Sequence, residues 1–372
     1  LSTFAPLHID PTRLNMASLL KRHGYATAAV GKWHLGYGTA DDSPKWRTDY
    51  TAELSPGPLD IGFEYHFSVP SNHGDVTGVF VENRFVYGLR GGKIPEHMRV
   101  RRPVPDEDED FQKTYGHEDM ENPNSAVMIL DLDAPRRKNQ RVMKVLTDKA
   151  TAWLQQQPKD KPFFVACGFR LPHVPCFAPP KWFALYPDDT LQMPPVKRDD
   201  RDDTPRFSWY LHWKLPEPRL VTLEKHSEWR PLVRAYLAST SYMDAQVGRV
   251  LDALDATGRA GDTIVVLWSD HGWHLGEKQH WRKFALWEEA TRAPLIWIVP
   301  GITRPGSICD RTVDFMAIYP TLTDLCGIPT PNHVEGHSLR PLLADPRFPW
   351  DHHAFTTYRF GNHAIRTEGW RF

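Results

Sequence analysis

Short apolar runs of strand type alternate along this chain with longer stretches of helical periodicity, and that alternation constrains the fold more than any other feature. The runs are YATAAVGKW (25–33), PFFVACGF (162–169), TIVVLW (263–268) and PLIWIV (294–299). All are far shorter than the ~20 apolar residues a membrane-spanning helix requires. Leu14, Met16, Leu19 and Leu20 before Gly24 are spaced as one face of a short helix. Val142, Val145, Leu146, Trp153 and Leu154 form a second such set, and positions from Leu232 to Leu254 before Gly258 form a third, with glycine as the stop signal at both Gly24 and Gly258. Strands alternating with long helices predict an α/β fold with a mostly parallel sheet and helices on both faces. In such sheets the binding crevice lies beyond the carboxyl ends of the strands.

The remaining segments fill in the outline. VFVENRFVYG (79–88) reads as a hairpin, and VDFMAIYPTLTDLCG (313–327) as a helix interrupted or kinked at Pro320. Residues 35–75 suit a long excursion and residues 101–124 a charged surface loop. The tract from Leu171 to Pro218 carries many of the 33 prolines and reads as a rim without regular elements. At 372 residues the chain is long enough for two unequal domains, or for one large α/β domain with a smaller appendage. It opens on LSTFAPLHID without Met or a signal-type region and closes on HAIRTEGWRF, a strand and turn cut in mid-course, so it reads as a piece of a longer protein.

Charge narrows the partners. Lys and Arg total 45 against 46 Asp and Glu, a net charge of -1, and no long basic run is present to track a phosphate backbone or an anionic membrane. Nucleic acid is therefore not an expected partner. Cys167, Cys176, Cys309 and Cys326 form no C-x-x-C pair and no metal-type spacing.

Three polar clusters fall where strands end: Lys32 and His34, then His173, then Asp270 and His271. Each has an ordinary explanation when taken singly. Asp270 suits a helix cap or turn, and Lys32 and His34 suit a solvated lysine and a backbone-bonded histidine. His173, held between Pro172 and Pro175, suits a structural loop, and Lys283 among aromatics suits a snorkelling or cation-π lysine. Taken together they read differently. Asp270 and His271 offer one oxygen and one nitrogen ligand to a metal ion, while Lys32 and His34, two apart on an extended chain, would face one way. Lysines and a divalent cation offset charge on a tetrahedral oxyanion, and a histidine protonates the departing oxygen. His274 and His280 read as local structure, and a zinc site through His271 and His274 lacks a further partner.

The stretches LLKRHGYATAAVGKWHLG (19–36), GFRLPHVPCFAPPKWF (168–183), the run from Tyr236 to Lys283 and TRAPLIWIVPG (291–301) resemble the type I, formylglycine-dependent sulfatases of the alkaline phosphatase superfamily. The likeness is strongest to the branch that contains iduronate-2-sulfatase. It implies an alkaline phosphatase-like fold, with residues 1–345 as the catalytic domain and 346–372 as the beginning of a smaller C-terminal antiparallel subdomain. It implies Asp270 and His271 as two of four protein ligands of a calcium ion, with magnesium as the alternative. It further implies Lys32 and His34 beside the nucleophile and the sulfate, and His173 and Lys283 on the sulfate and the leaving group. The expected substrate is a sulfated carbohydrate or another sulfate monoester, and the expected maturation partner is a formylglycine-generating enzyme. Export to a periplasmic, secreted or lysosomal compartment follows from the same likeness.

One departure is large. The family's C-x-P-S-R or C-x-A-S-R motif, whose Cys becomes formylglycine, and its upstream Asp-Asp pair are absent from these 372 residues, and none of the four cysteines has the required neighbours. Two alternatives therefore stay open at this point: a non-catalytic sulfatase-like binding protein, and a phosphate or phosphonate ester hydrolase of the same superfamily.

Overall fold

The computed structural model describes residues 4–43, 47–50, 52–70, 80–87, 142–174, 176, 178–210 and 219–372. Residues 101–124, expected as a surface loop, lie outside these. The chain forms two compact units, Leu1–Leu191 with Arg234–Arg259, and Gln192–Val233 with Ala260–Phe372.

The first unit is built on a five-stranded sheet. Helix α1 (Met16–Arg22) starts at Asn15, whose side chain accepts from the Ser18 N–H while the Ser18 hydroxyl accepts from the Asn15 N–H, a reciprocal cap that satisfies two orphan donors. Lys21 and Arg22 favour its carboxyl end, and Gly24 takes the left-handed turn at φ 86° that ends it. Strand β1 (Ala26–Lys32) follows, then β2 (Tyr65–Val69), the short hairpin β3 (Val81–Glu82) and β4 (Phe85–Val86), and β5 (Phe163–Gly168). Their order is β4-β3-β2-β1-β5. Strand β1 pairs in parallel with both β2 and β5, and the hairpin adds two antiparallel strands at the β2 edge.

Both faces of this sheet are covered, as alternation along the strands requires. Val30 and Phe67 pack with Val142, Leu146 and Ala150 of helix α2 (Val142–Gln155), joined by Val250 of the long helix α3 (Trp229–Ala256). On the opposite face Ala29 packs with Ala17 of α1, Ile61 and Phe63, together with Phe164 and Ala166 of β5. Phe67 is fully buried, and losing its ring costs about 3–5 kcal/mol in such a core. The carboxyl ends of β1 and β5 approach unusually closely. Gly31, at φ 141°, leaves no room for a Cβ, which would meet the Gly168 carbonyl oxygen at 2.0 Å.

The second unit holds β6 (Val265–Trp268) paired antiparallel with β9 (Leu295–Ile298), and the small ladder β7 (His274–Leu275) with β8 (Trp281–Arg282). Helix α4 (Glu288–Thr291) lies between β8 and β9 in sequence; helices α5 (Ile318–Leu325) and α6 (Arg340–Ala344) and the antiparallel hairpin β10 (Ala354–Thr357) and β11 (His363–Arg366) complete it. Leu295 and Trp297 of β9 pack against Ala317, Leu339 and Leu342. The other face of β9 is not buried as its apolar composition suggested: Ile296 and Ile298 are about half exposed within this structure.

Two further expectations change. Pro320 does not kink a helix, because a 3₁₀ turn over Phe315–Ala317 passes into α5 at Ile318 and places Pro320 in the first turn, where its missing N–H is not needed. The proline-rich tract is not devoid of regular structure. It carries helical turns at Pro180–Phe183 and Arg206–Tyr210, the first of them opening on a proline whose fixed φ suits that position. No helix among the described residues is long and apolar enough to cross a membrane.

His66 of β2 is a polar residue inside the core of the first unit. Its ring is fully buried, edge-on to Trp33 at 5.6 Å, and neither ring nitrogen has a hydrogen-bond partner among the described residues. Burial pushes its pKa down to about 3, so the native state holds it neutral. Unfolding releases an imidazole that binds a proton below about pH 6.5, so this contribution to stability is complete above that value and is lost as pH falls toward 3. Urea unfolding at pH 7 and pH 4.5 is expected to show a loss of roughly 2–3 kcal/mol that His66→Leu removes. Equal pH slopes in the two proteins would refute the assignment.

Candidate active site

In the first unit, the pairing of β1 with β5 sends the Lys32–His34 and Phe169–His173 segments off the same edge of one sheet, since Gly31 and Gly168 are register partners. Lys32 is the last residue of β1, opposite Val69 of β2. The expectation that Lys32 and His34 share one side of an extended chain fails at His34. Its φ of 52° lies in the left-handed region, so the strand's alternation stops before it. The turn is held by backbone bonds from Trp33 N–H to Val69 O (3.0 Å) and from His34 N–H to Pro70 O (2.9 Å), and by the Trp33 indole N–H donating to Gly36 O.

His173 sits on a loop pinned by a residue the sequence analysis passed over. Arg170 is 3% exposed, and its guanidinium donates to the carbonyls of His173 and Val174, both at 2.9 Å. The His173 Nδ1 lies 2.6 Å from Val174 O, an acceptor only, so Nδ1 carries the proton and Nε2 is the nitrogen that takes up or gives back a proton. A lone arginine directly after an apolar strand was the available signal.

In the second unit β6 ends at Trp268, and Ser269 to Gly272 turn sharply away. The Ser269 hydroxyl donates to His271 O (2.9 Å), and Gly272 N–H donates to Ala290 O on α4 (2.8 Å). The Asp270 side chain is 82% exposed, and its Oδ2 lies 3.5 Å from His271 Nε2. His271 Nδ1 is 2.7 Å from Gly272 O and so holds the proton, which leaves the Nε2 lone pair to accept from the Lys283 ammonium at 2.9 Å. Asp270 and His271 thus share one neighbourhood with Lys283, which follows His271 by twelve residues, and Lys283 touches Phe284 only distantly, at 5.8 Å.

The chemistry of this corner suits a divalent cation. A carboxylate oxygen and an imidazole lone pair stand side by side, and the lone pair already faces positive charge. Among the described residues no group of three or more His, Cys, Asp or Glu side chains is arranged to hold a metal, and Asp270 with His271 is a group of two. Cys167, at the end of β5, does not offer a thiol nucleophile. Burial pushes the Cys167 thiol up to about 12, which leaves no useful thiolate at neutral pH. None of the four cysteines forms a disulfide.

Residues 8–328 match the Sulfatase family model. Among curated relatives, a sulfatase of Formosa agariphila is 42% identical over 212 residues, covering 57% of this chain and 42% of that protein. Human iduronate 2-sulfatase is 31% identical over 220 residues, covering 50% of this chain and 40% of that protein. The chain therefore spans about two-fifths of the length of these relatives. A structure solved in work on the metabolism of multiple glycosaminoglycans by Bacteroides thetaiotaomicron superposes with a TM-score of 0.66 at 23% identity, covering 100% of this chain and 72% of that one. That likeness shows the fold, which is alkaline phosphatase-like, with mixed α/β architecture and a central sheet containing parallel strands.

The turn at Gly272 is the most exacting feature of the second cluster. A Cβ there would meet Glu289 O at 2.0 Å and Arg292 O at 2.4 Å, both backbone atoms. Gly272→Ala is expected to destabilise the chain by about 1–3 kcal/mol in urea unfolding. Gly248→Ala is the control: it lies in α3 with nothing within 4 Å of a new Cβ and is expected to be neutral or to stabilise by about 0.5–1 kcal/mol. A Gly272→Ala protein as stable as the parent would show that the turn yields freely.

Proposed function

The chain belongs to the sulfatase family, and on that premise we propose that the protein hydrolyses sulfate monoesters, on a sulfated carbohydrate, and releases inorganic sulfate. The observation that carries the reading is the Lys283 ammonium on the His271 Nε2 lone pair, beside Asp270, at the end of β6. A carboxylate, an imidazole and an ammonium collected at a strand end are what an anionic substrate with a cation calls for. The work on glycosaminoglycan metabolism that yielded the similar fold supports a carbohydrate substrate.

The roles divide as follows. Asp270 and His271 would hold the cation, which is calcium given an oxygen-rich family shell, with magnesium as the alternative; with Nδ1 protonated, His271 Nε2 would ligate the ion in place of accepting from Lys283, whose ammonium is then available to a sulfate oxygen. Such an ion, when bound, offsets negative charge on the sulfate oxygens. Lys283 and Lys32 bind sulfate oxygens directly. His173, with its tautomer fixed by Val174 O, protonates the departing oxygen through Nε2. His34 takes the position next to the nucleophile. Arg170 positions His173 rather than touching substrate. Residues 346–372, with the β10–β11 hairpin, open the smaller antiparallel subdomain.

The nucleophile is a formylglycine supplied from outside these 372 residues, since none of their cysteines has the C-x-P-S-R or C-x-A-S-R setting. A formylglycine-generating enzyme is accordingly the maturation partner, and the protein is exported. Among the described residues nothing spans a membrane as a helix.

The test uses the complete gene product matured by a formylglycine-generating enzyme. It is expected to release inorganic sulfate from an aryl sulfate and from members of a sulfated saccharide panel. Lys283→Ala and His173→Ala are expected to lower kcat/KM about 100-fold or more while the unfolding midpoint holds. The 372-residue chain alone is expected to give no turnover. Saccharide binding by calorimetry without hydrolysis would make this a binding protein, and faster cleavage of a phosphonate ester than of any sulfate would reassign the substrate.

A further inference from the structure

The backbone that delivers Lys283 is held in a conformation it would not adopt unaided. Lys278, Gln279 and Arg282, none of them glycine, have φ values of 54°, 53° and 75°, three left-handed residues within the five that precede Lys283. Such residues persist only where the surroundings over-determine them. The surroundings here are specific. Lys278 is tied to Asp200 Oδ1 at 2.8 Å, and the Leu275 carbonyl accepts from the Trp229 indole at 2.6 Å.

The innermost tie is His274, fully buried. Its Nδ1 lies 3.1 Å from the carbonyl oxygen of Arg282, the residue immediately before Lys283, and its Nε2 lies 3.3 Å from Glu289 Oε2 on α4. The ring of Trp287 and that of His280 meet it edge-on at 5.8 Å and 4.8 Å. The contact with His274 is also the main reason that the Glu289 carboxyl is held below the usual carboxylate range. Helix α4 thus makes two connections. Through Glu289 and His274 it reaches the backbone before Lys283, and through the Ala290 carbonyl it receives the Gly272 N–H that fixes the turn carrying Asp270 and His271.

We infer that His274 and Glu289 are positioning residues: they brace α4 against the Arg282 carbonyl, and so set the Lys283 ammonium at hydrogen-bond distance from His271. The consequence for catalysis rests on the sulfatase reading above; the positioning itself does not.

Lys283 reactivity separates the two. In the 372-residue chain, acylation of Lys283 by acetic anhydride is followed by mass spectrometry against exposed Lys197. Glu289→Ala is expected to raise the Lys283 rate about tenfold, the effect of losing one charge-assisted hydrogen bond. Glu289→Gln, which still offers His274 an oxygen, is expected to keep Lys283 protected. His274→Gln, which withdraws the bond to the Arg282 carbonyl, is expected to match Glu289→Ala, and serves if that variant does not fold. Unchanged Lys283 protection in whichever of Glu289→Ala and His274→Gln folds, judged by an unfolding midpoint near the parent's, would overturn the inference. In the complete matured protein Glu289→Ala is expected to lower kcat/KM and Glu289→Gln to restore most of it. A tenfold rise in acylation in a protein that hydrolyses no sulfate ester would keep the brace and sink the sulfatase reading.

Discussion

The hydrogen bond from Gly272 N–H to the Ala290 carbonyl is the contact on which the rest of the Asp270 corner depends. It can form only because position 272 lacks a Cβ, which would lie inside the backbone of α4. With the turn pressed against α4, Asp270 and His271 leave β6 at a fixed place, and the same helix reaches the backbone before Lys283 through Glu289 and His274. A four-residue helix contributes little stability of its own. Its value lies in connecting two segments that must stay in register, with both connections made to buried or backbone atoms that have few alternatives.

Much of the fold was legible because it obeys local periodicity. The helices over Met16–Arg22, Val142–Gln155 and Trp229–Ala256, and the strands over Ala26–Lys32 and Phe163–Gly168, follow from apolar spacing and a glycine stop. Where periodicity gave the wrong answer, a different effect was in control. Pro320 looked like a breaker, yet a proline in a helix's first turn breaks nothing, and composition does not say which turn is first. Ile296 and Ile298 looked buried because an unbroken apolar strand usually is; only one face of β9 meets a helix within its own unit. The left-handed φ of His34 has no apolar signature at all.

The candidate site divides along similar lines. The residues proposed to ligate or donate stood out by type: a carboxylate next to an imidazole after an apolar run, a histidine between prolines, a lysine among aromatics. Residues that position them did not. Arg170 does its work through two carbonyls, and His274 and Glu289 meet across fifteen residues of sequence. Such partners are fixed by tertiary packing, so a sequence pattern can report the groups that face a ligand before it reports the groups that hold them. His274 illustrates the difference, since it reads as local structure and is indeed buried, yet what it holds is the backbone before Lys283.

Net charge and local charge also answer different questions. A chain with a net charge of -1 exerts no long-range pull on a polyanion, so recognition of an anionic group must be short-range and directional. The Lys283 to His271 contact has that character: an ammonium is aimed by a neutral ring whose tautomer is set by one carbonyl. Fixed donors of this kind favour compact tetrahedral oxyanions over extended charged chains, because the gain is confined to a few oxygens at hydrogen-bond distance and vanishes when geometry slips by an ångström. The brace behind Lys283 therefore matters more to such a site than any addition of positive charge to its surface would.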